Sequence, residues 1–234
     1  MKRKFELVYQ FKVTLKGVKP AVWRRFQVPE SYTFWDLHVA IQDAFGWLNS
    51  HLHEFELMNP ESSGIAAIGI PDEEGMFDRE ILPGWKQGIS SWFSRDYRSA
   101  LYTYDFGDDW EHIVKLEKIL PCEEKRKYPV CLDGKRACPP EDCGGVWGYR
   151  DFLKVLKNPE HEDHEDLLNW VGGKFDPEHF DPQKVRFTDP VKRRKSAFGE
   201  WEKDLRGSDL NAAGSMKRQH PPRDCQIDRD VDHN

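Results

Sequence analysis

No stretch of the sequence approaches the roughly 20 successive apolar residues that a helical membrane span requires, so no membrane partner is expected. The opening Met1-Lys-Arg-Lys-Phe-Glu-Leu7 lacks the apolar segment of a secretory signal, and a cytoplasmic location is expected. Basic charge is also short. Lys and Arg number 35 against 41 Asp and Glu, a net charge of -6, which gives no general footprint for nucleic acid. Cysteine is sparse: the five present, three of them close together, argue for reduced thiols or a metal rather than a disulfide framework. No internal repeat is visible.

What the chain does have is aromatic mass. Nine Trp, 14 Phe and 7 Tyr, within a hydrophobic content of 38%, can build a core despite a mean hydropathy of -0.78. Phe5 to Leu15 alternates apolar and polar residues and reads as a half-buried strand, with Val22 to Val28 as its hairpin partner. Thr33 is placed to cap a helix whose stripe is Phe34, Leu37, Ile41, Ala44 and Phe45, and Gly46 ends it. His51, His53, Phe55 and Leu57 then share one face of a strand. Residues 60–76 read as a loop. Leu101–Gly107 and Trp110–Leu120 give a second hairpin that carries His112 on its apolar side. Beyond Tyr149 two helices are expected, to about Leu156 and from about Glu162 to Val171, then a short strand at Val185–Phe187. From about Asp189 the apolar pattern fades and disorder is expected.

The densest chemistry lies in Tyr128–Tyr149, where Cys131, Cys138 and Cys143 flank a Pro-Pro-Glu-Asp run. Their separation is not the paired spacing of a zinc ribbon. Three thiolates with His51, His53 or His112 could still complete a structural zinc site, whereas two histidines with Asp105 or Asp109 and an open water position would make a catalytic one. The plain alternative has the thiols packing as small hydrophobes and the histidines bonded to nearby Asp. Cys138 as a nucleophile is disfavoured by Glu141 and Asp142 beside it. Asp105-Phe-Gly107 repeats three letters of a kinase metal motif without the accompanying parts. Of Arg24 and Arg25, one is expected in solvent and one paired with an acid.

These stretches, in this order, resemble the plasmid pRiA4b open-reading-frame-three-like proteins, also labelled insertion-element passenger or resolvase-like proteins. The resemblance rests on Val22-Trp-Arg-Arg25, Thr33-Phe-Trp-Asp-Leu-His38, Phe45-Gly-Trp47 with His51-Leu-His53, and Tyr104-Asp-Phe-Gly-Asp108 with Trp110-Glu-His112. Gly134–Gly145, Gly148-Tyr149 and Phe175-Asp-Pro177 complete it. It implies one α+β domain linked to plasmids or mobile elements, and brings no catalytic residue with it. The resolvase label has no support here, because no helix-turn-helix region and no serine set among arginines is present.

The expectation is therefore an α+β fold: an antiparallel sheet of two hairpins packed by one central helix, β-grasp-like in a narrower version, with C-terminal helices covering it. Residues 1–190 form the domain and 191–234 a polar tail. The leading function is a binding or accessory protein for a protein or small-molecule partner. Its pocket gathers Trp47, His51, His53, Tyr104, Asp105, Asp109, His112, Glu141 and Asp142. One rival is a metal-dependent hydrolase, a phosphodiesterase or nuclease, in the same pocket; the other is a zinc-stabilised interaction domain. The binding reading places Trp47, Tyr104 and Trp110 at an exposed aromatic surface.

Overall fold

The computed structural model describes residues 5–71 and 79–198. Met1–Arg193 forms one compact unit; of the second, 194–234, only the end of one helix is described. Alternation sets the first two strands, Leu7–Leu15 (β1) and Trp23–Pro29 (β2), which pair antiparallel with Phe11 opposite Phe26 and Val13 opposite Arg24. Residues opposite one another share a face, so all four point into the core. Thr33 then opens the helix Phe34–Phe45 (α1). Its hydroxyl accepts from the Asp36 amide while the Asp36 carboxylate accepts from the Thr33 amide, satisfying two orphan donors reciprocally. Gly46, at φ 89°, closes the helix in the left-handed region that glycine enters without a Cβ penalty.

Five further strands and a single-turn helix come next. They are His53–Met58 (β3), Ile65–Gly69 (β4), Ile81–Pro83 (β5), Ile89–Trp92 (α2), Ser99–Tyr104 (β6) and Trp110–Pro121 (β7). Val130–Lys135 (β8) then precedes Gly145–Leu156 (α3), His164–Trp170 (α4) and Pro190–Phe198 (α5). Among the described residues the strands make one sheet in the order β5-β4-β3-β6-β7-β1-β2-β8, antiparallel throughout except for β4 against β5. The fold is thus mixed α+β with a sheet much wider than two hairpins. The extra strands hide for local reasons. Ile65-Ala-Ala-Ile-Gly69 has no alternation to announce β4 inside the expected loop, and β8, Val-Cys-Leu-Asp-Gly-Lys, ends in three poor strand formers and is held by the ladder to β2.

Two other expectations are corrected. Val185–Phe187 joins no ladder; Phe187 instead packs edge-on against Phe26 at 6.3 Å. Pro190–Phe198 is helical where the tail is expected to begin, tied down by Arg193 Nη1 to Asp43 Oδ1 at 2.8 Å and by Trp35 Nε1 to the Pro190 carbonyl. The rest of that expected tail, 199–234, lies outside the described residues. No helix among the described residues is long and apolar enough to cross a membrane.

The core forms where α1 lies on the sheet. Phe34 meets Phe55 at 5.1 Å and Phe93 at 5.8 Å, and Phe93 meets Phe11 at 4.9 Å. Each fully buried ring of this kind stabilises the fold by about 1.5–3 kcal/mol. Arg24 is part of this core, 1% exposed, while Arg25 on the opposite face grips Glu117 through Nε at 2.7 Å and Nη2 at 2.9 Å. The expectation of a solvated arginine therefore fails for Arg24. Its guanidinium donates to the carbonyls of Ala44, Trp23 and Lys135 and lies 3.8 Å from the Phe180 ring centre. Those bonds fix the end of α1 against β2 and β8, and so position the turn that follows α1.

Candidate cation site at His51, Asp105 and Asp142

Three segments distant in the chain meet beside the end of α1: the turn 46–52, the β6–β7 turn, and the loop 136–144 after β8. The loop is held by main-chain and side-chain bonds. Trp47 Nε1 donates to the Pro139 carbonyl at 3.0 Å, and the Glu141 carboxylate accepts from the Leu48 amide at 3.2 Å and from the Tyr104 hydroxyl at 2.5 Å. The Tyr104 oxygen in turn accepts from the Ser50 amide at 3.0 Å. On the other side the Gly144 amide donates to Asp108 Oδ2 at 3.2 Å. Backbone approach is closest at Gly148, where an added Cβ would stand 1.8 Å from the Cys143 carbonyl oxygen, so no other residue fits that position undisturbed.

This packing places His51 Nε2 3.0 Å from Asp142 Oδ1 and 3.6 Å from Asp105 Oδ2, and all three atoms lie within 4.8 Å of one another. Among the described residues this is the group of three His, Cys, Asp or Glu that lies in range of one ion. Nε2 is shielded from solvent and has no hydrogen-bond partner of good geometry, although two carboxylates face it. Asp105 is 8% exposed and braced by the Gly107 amide on its other oxygen, whereas Asp142 is open to solvent. Both aspartates sit at φ 58°, a left-handed conformation that costs a non-glycine residue roughly 1 kcal/mol and is best tolerated by Asn and Asp. Leu48, Leu52 and Phe106, next in sequence to these residues or close to them, are exposed apolar side chains.

The other residues singled out in the sequence occupy different surroundings. His53 and His112 share the helix-facing side of the sheet, but both are core residues, 2% and 0% exposed. The His53 ring stacks on His38 of α1 with centroids 3.4 Å apart and planes 6° from parallel. His38 bonds through Nδ1 to the Tyr102 hydroxyl at 2.8 Å and through Nε2 to Asn49 Oδ1. His112 lies edge-on to Phe45 and Trp47, and neither ring nitrogen makes a hydrogen bond of good geometry, although backbone groups of Tyr102 and Trp110 stand near the imidazole. Burial pushes His38 and His112 down to about 3 and lowers His53 as well, with the adjacent His38 as the second cause. All three are neutral packing groups at pH 7.

Trp47, Tyr104 and Trp110 are 4%, 0% and 0% exposed, so the exposed aromatic surface expected of them is not there; they form the floor beneath the site. Asp109 is exposed and serves the turn, its amide donating to the Asp105 carbonyl and its carbonyl accepting from the Glu111 amide. Cys131, on β8, donates to the Arg25 and Asp133 carbonyls, and Cys138 and Cys143 pack against the core. Burial raises Cys131 to about 11 and Cys143 to about 12, and raises Cys138 also. These are protonated thiols, and with His53 and His112 they fall in no group within range of a common ion among the described residues. His38 is the residue that sequence reasoning passes over. Its place one step from Leu37 and four from Phe34, on the buried side of α1, is the signal that finds it.

Tyr104→Phe isolates the clamp, because it deletes one hydroxyl that serves both Glu141 and the Ser50 amide. The expected result is a loss of about 1–2 kcal/mol in urea unfolding, with faster amide exchange at Leu48 and Ser50; unchanged exchange there would remove the clamp from the account.

Taken together, the structure defines an α+β protein with a wide, mostly antiparallel sheet and a His–Asp–Asp cluster at its margin. Residues 7–184 match the model of the plasmid pRiA4b ORF-3-like proteins, and the chain belongs to that family. The uncharacterised protein y4hQ of Sinorhizobium fredii (strain NBRC 101917 / NGR234) is 36% identical over 199 residues, 85% of this chain and 96% of that one. A crystal structure of MM3350 from Methanosarcina mazei Go1, a protein of unknown function, is 50% identical with a TM-score of 0.73, and covers 79% of this chain and all of its own.

Proposed function

We propose that the protein is a binding or accessory protein whose recognition site is built around a divalent cation held by His51, Asp105 and Asp142. The reading rests on one observation: three ligand atoms from three separate segments converge within 4.8 Å. Ligands about 2.1 Å from one ion at tetrahedral or octahedral angles stand roughly 3.0–3.4 Å apart. The spacings of 3.0 and 3.6 Å about His51 Nε2 stand close to that range. One imidazole and two carboxylates form a nitrogen and oxygen donor set suited to Mn²⁺, Fe²⁺, Co²⁺ or Zn²⁺. The family's description as plasmid open-reading-frame proteins is in keeping with an accessory role tied to mobile genes.

Calorimetric titration with Mn²⁺ and Zn²⁺ tests the reading. One equivalent of ion should bind, and His51→Ala should weaken binding at least tenfold, in the range lost when a metal site is disturbed. Equal affinity in the variant removes the site.

A hydrolase remains the second reading, favoured by one feature: three protein ligands leave coordination positions open, and Asp142 lies on the solvent side. Mn²⁺-loaded protein incubated with an activated phosphodiester separates the two. Turnover that disappears in Asp105→Asn favours the enzyme, whereas stoichiometric metal without turnover favours the binding protein.

A further inference from the structure

Beyond the cation cluster, two grooves meet at Trp170, the last residue of α4. One, of about 470 Å³, runs between the turn after α1, the Cys138–Glu141 loop and Val171; the other, of about 340 Å³, lies between Asp142, α3 and α4. The smaller groove is walled mainly by the apolar Phe152, Val155 and Leu167, while the larger mixes Trp47, Pro139 and Phe175 with about as much polar surface. Trp170 itself is 49% exposed, a large ring left half in water at the junction. Carboxylates line both grooves: Glu141, bonded to the Tyr104 hydroxyl and the Leu48 amide, in the first, and Asp142 with Asp151, the latter paired with Lys154, in the second.

The adjoining helix adds to this charge. From Pro159 to Val171 the chain carries Glu160, Glu162, Asp163, Glu165 and Asp166, with no Lys or Arg. All five are exposed. Asp163 and Asp166 precede Leu167 and Trp170 by four residues, so they stand on the side of α4 that borders the groove. α4 is held in place from behind by His164 Nδ1, 3.1 Å from the Val155 carbonyl oxygen.

We infer that the double groove about Trp170 is a docking surface for a basic, amphipathic peptide segment of a partner protein. Charge complementarity identifies the occupant. A trough that is apolar between α3 and α4, mixed beyond Trp170 and edged with carboxylates favours a segment that presents Leu or aromatic anchors at helical spacing with Lys or Arg beside them. The same edge repels acidic peptides, nucleic acid and anionic membrane. Trp170 supplies the central anchor of the kind that dominates interface energetics.

The test is fluorescence anisotropy with a labelled 18-residue Leu/Lys peptide of helical pattern, and a Leu/Glu peptide of the same pattern as control. The Lys peptide should bind and the Glu peptide should not. Trp170→Ala should weaken binding at least ~10-fold. The exposed pair Asp163→Asn/Asp166→Asn, which leaves the apolar packing untouched, should lower affinity and flatten its dependence on salt. His51→Ala, a residue that lines neither groove, should leave peptide affinity unchanged in metal-free buffer, where Asp142 carries the same charge in both proteins, so that failure of the one proposal is seen apart from failure of the other. Equal binding of both peptides, or no binding, overturns the inference. So does an affinity unmoved in both variants. Concentration-dependent dimerisation lost in Trp170→Ala would give the groove to a second copy of this chain and overturn it as well.

Discussion

The stability of the protein falls steeply as the pH is lowered from about 6.5 toward 3. His38, His53 and His112 cause the drop. In the unfolded chain each takes up a proton near pH 6.5. In the folded chain burial holds His38 and His112 neutral down to about pH 3, and His53 is lowered too. Between those limits the unfolded state binds more protons, so each histidine removes about 1.4 kcal/mol of stability per pH unit as the pH falls. Three together remove about 4 kcal/mol per unit, and a domain of ordinary stability, about 5–15 kcal/mol, is exhausted within a few units. The contribution is fully present above the unfolded pKa. Guanidinium unfolding at pH 7.5, 6.0 and 5.0 checks the slope. His112→Phe keeps a ring in a slot where neither imidazole nitrogen makes a hydrogen bond of good geometry, and should cut the slope by about a third. A flat profile, or one unchanged in that variant, contradicts the burial account.

Arg24→Met is expected to cost about 3–5 kcal/mol, the range for breaking a buried charged network. The side chain is 1% exposed, and its guanidinium serves three carbonyls at 2.8–3.0 Å. Ala44 is in the last turn of α1, where carbonyls have no intrahelical donor, so losing Arg24 leaves a buried acceptor unpaired. Trp23 and Lys135 lose their donor at the same time, across the β2–β8 seam. The faces of Phe180 and Phe45 lose a cation 3.8 and 5.0 Å away. Desolvation lowers the Arg24 pKa, and the methionine variant recovers that part of the energy, which keeps the net loss below the sum of the bonds. Arg24→Lys should not rescue, since an ammonium on a flexible stem cannot hold the planar fork that reaches three acceptors. A loss under about 1 kcal/mol in chemical denaturation would show that the carbonyls find other donors.

The parts legible in the sequence are those where a local pattern and the tertiary demand coincide. β1 and α1 are examples: strict alternation and a Thr33–Asp36 cap are written in consecutive residues. β4 and β8 were not legible, because their strand state comes from neighbours in the sheet rather than from alternation of their own. The site shows the same division. The sequence singles out His51, Asp105 and Asp142 individually, but it gives His53 and His112 equal standing. Strand parity explains why. His51 lies on the parity of His53, yet β3 begins only at His53, so the alternation that carries His53 into the core does not govern His51. The cysteines stand out by their chemistry, whereas what fixes the state of Cys138 and Cys143 is burial of the loop that carries them, a property of the fold alone.

Anomalous diffraction from crystals grown with Mn²⁺ tests the central claim most directly. The account predicts one strong peak about 2.0–2.3 Å from His51 Nε2 and from a carboxylate oxygen of both Asp105 and Asp142. A map with no peak there, or with the ion bound elsewhere and the His51 imidazole bonded to Asp142 alone, contradicts it.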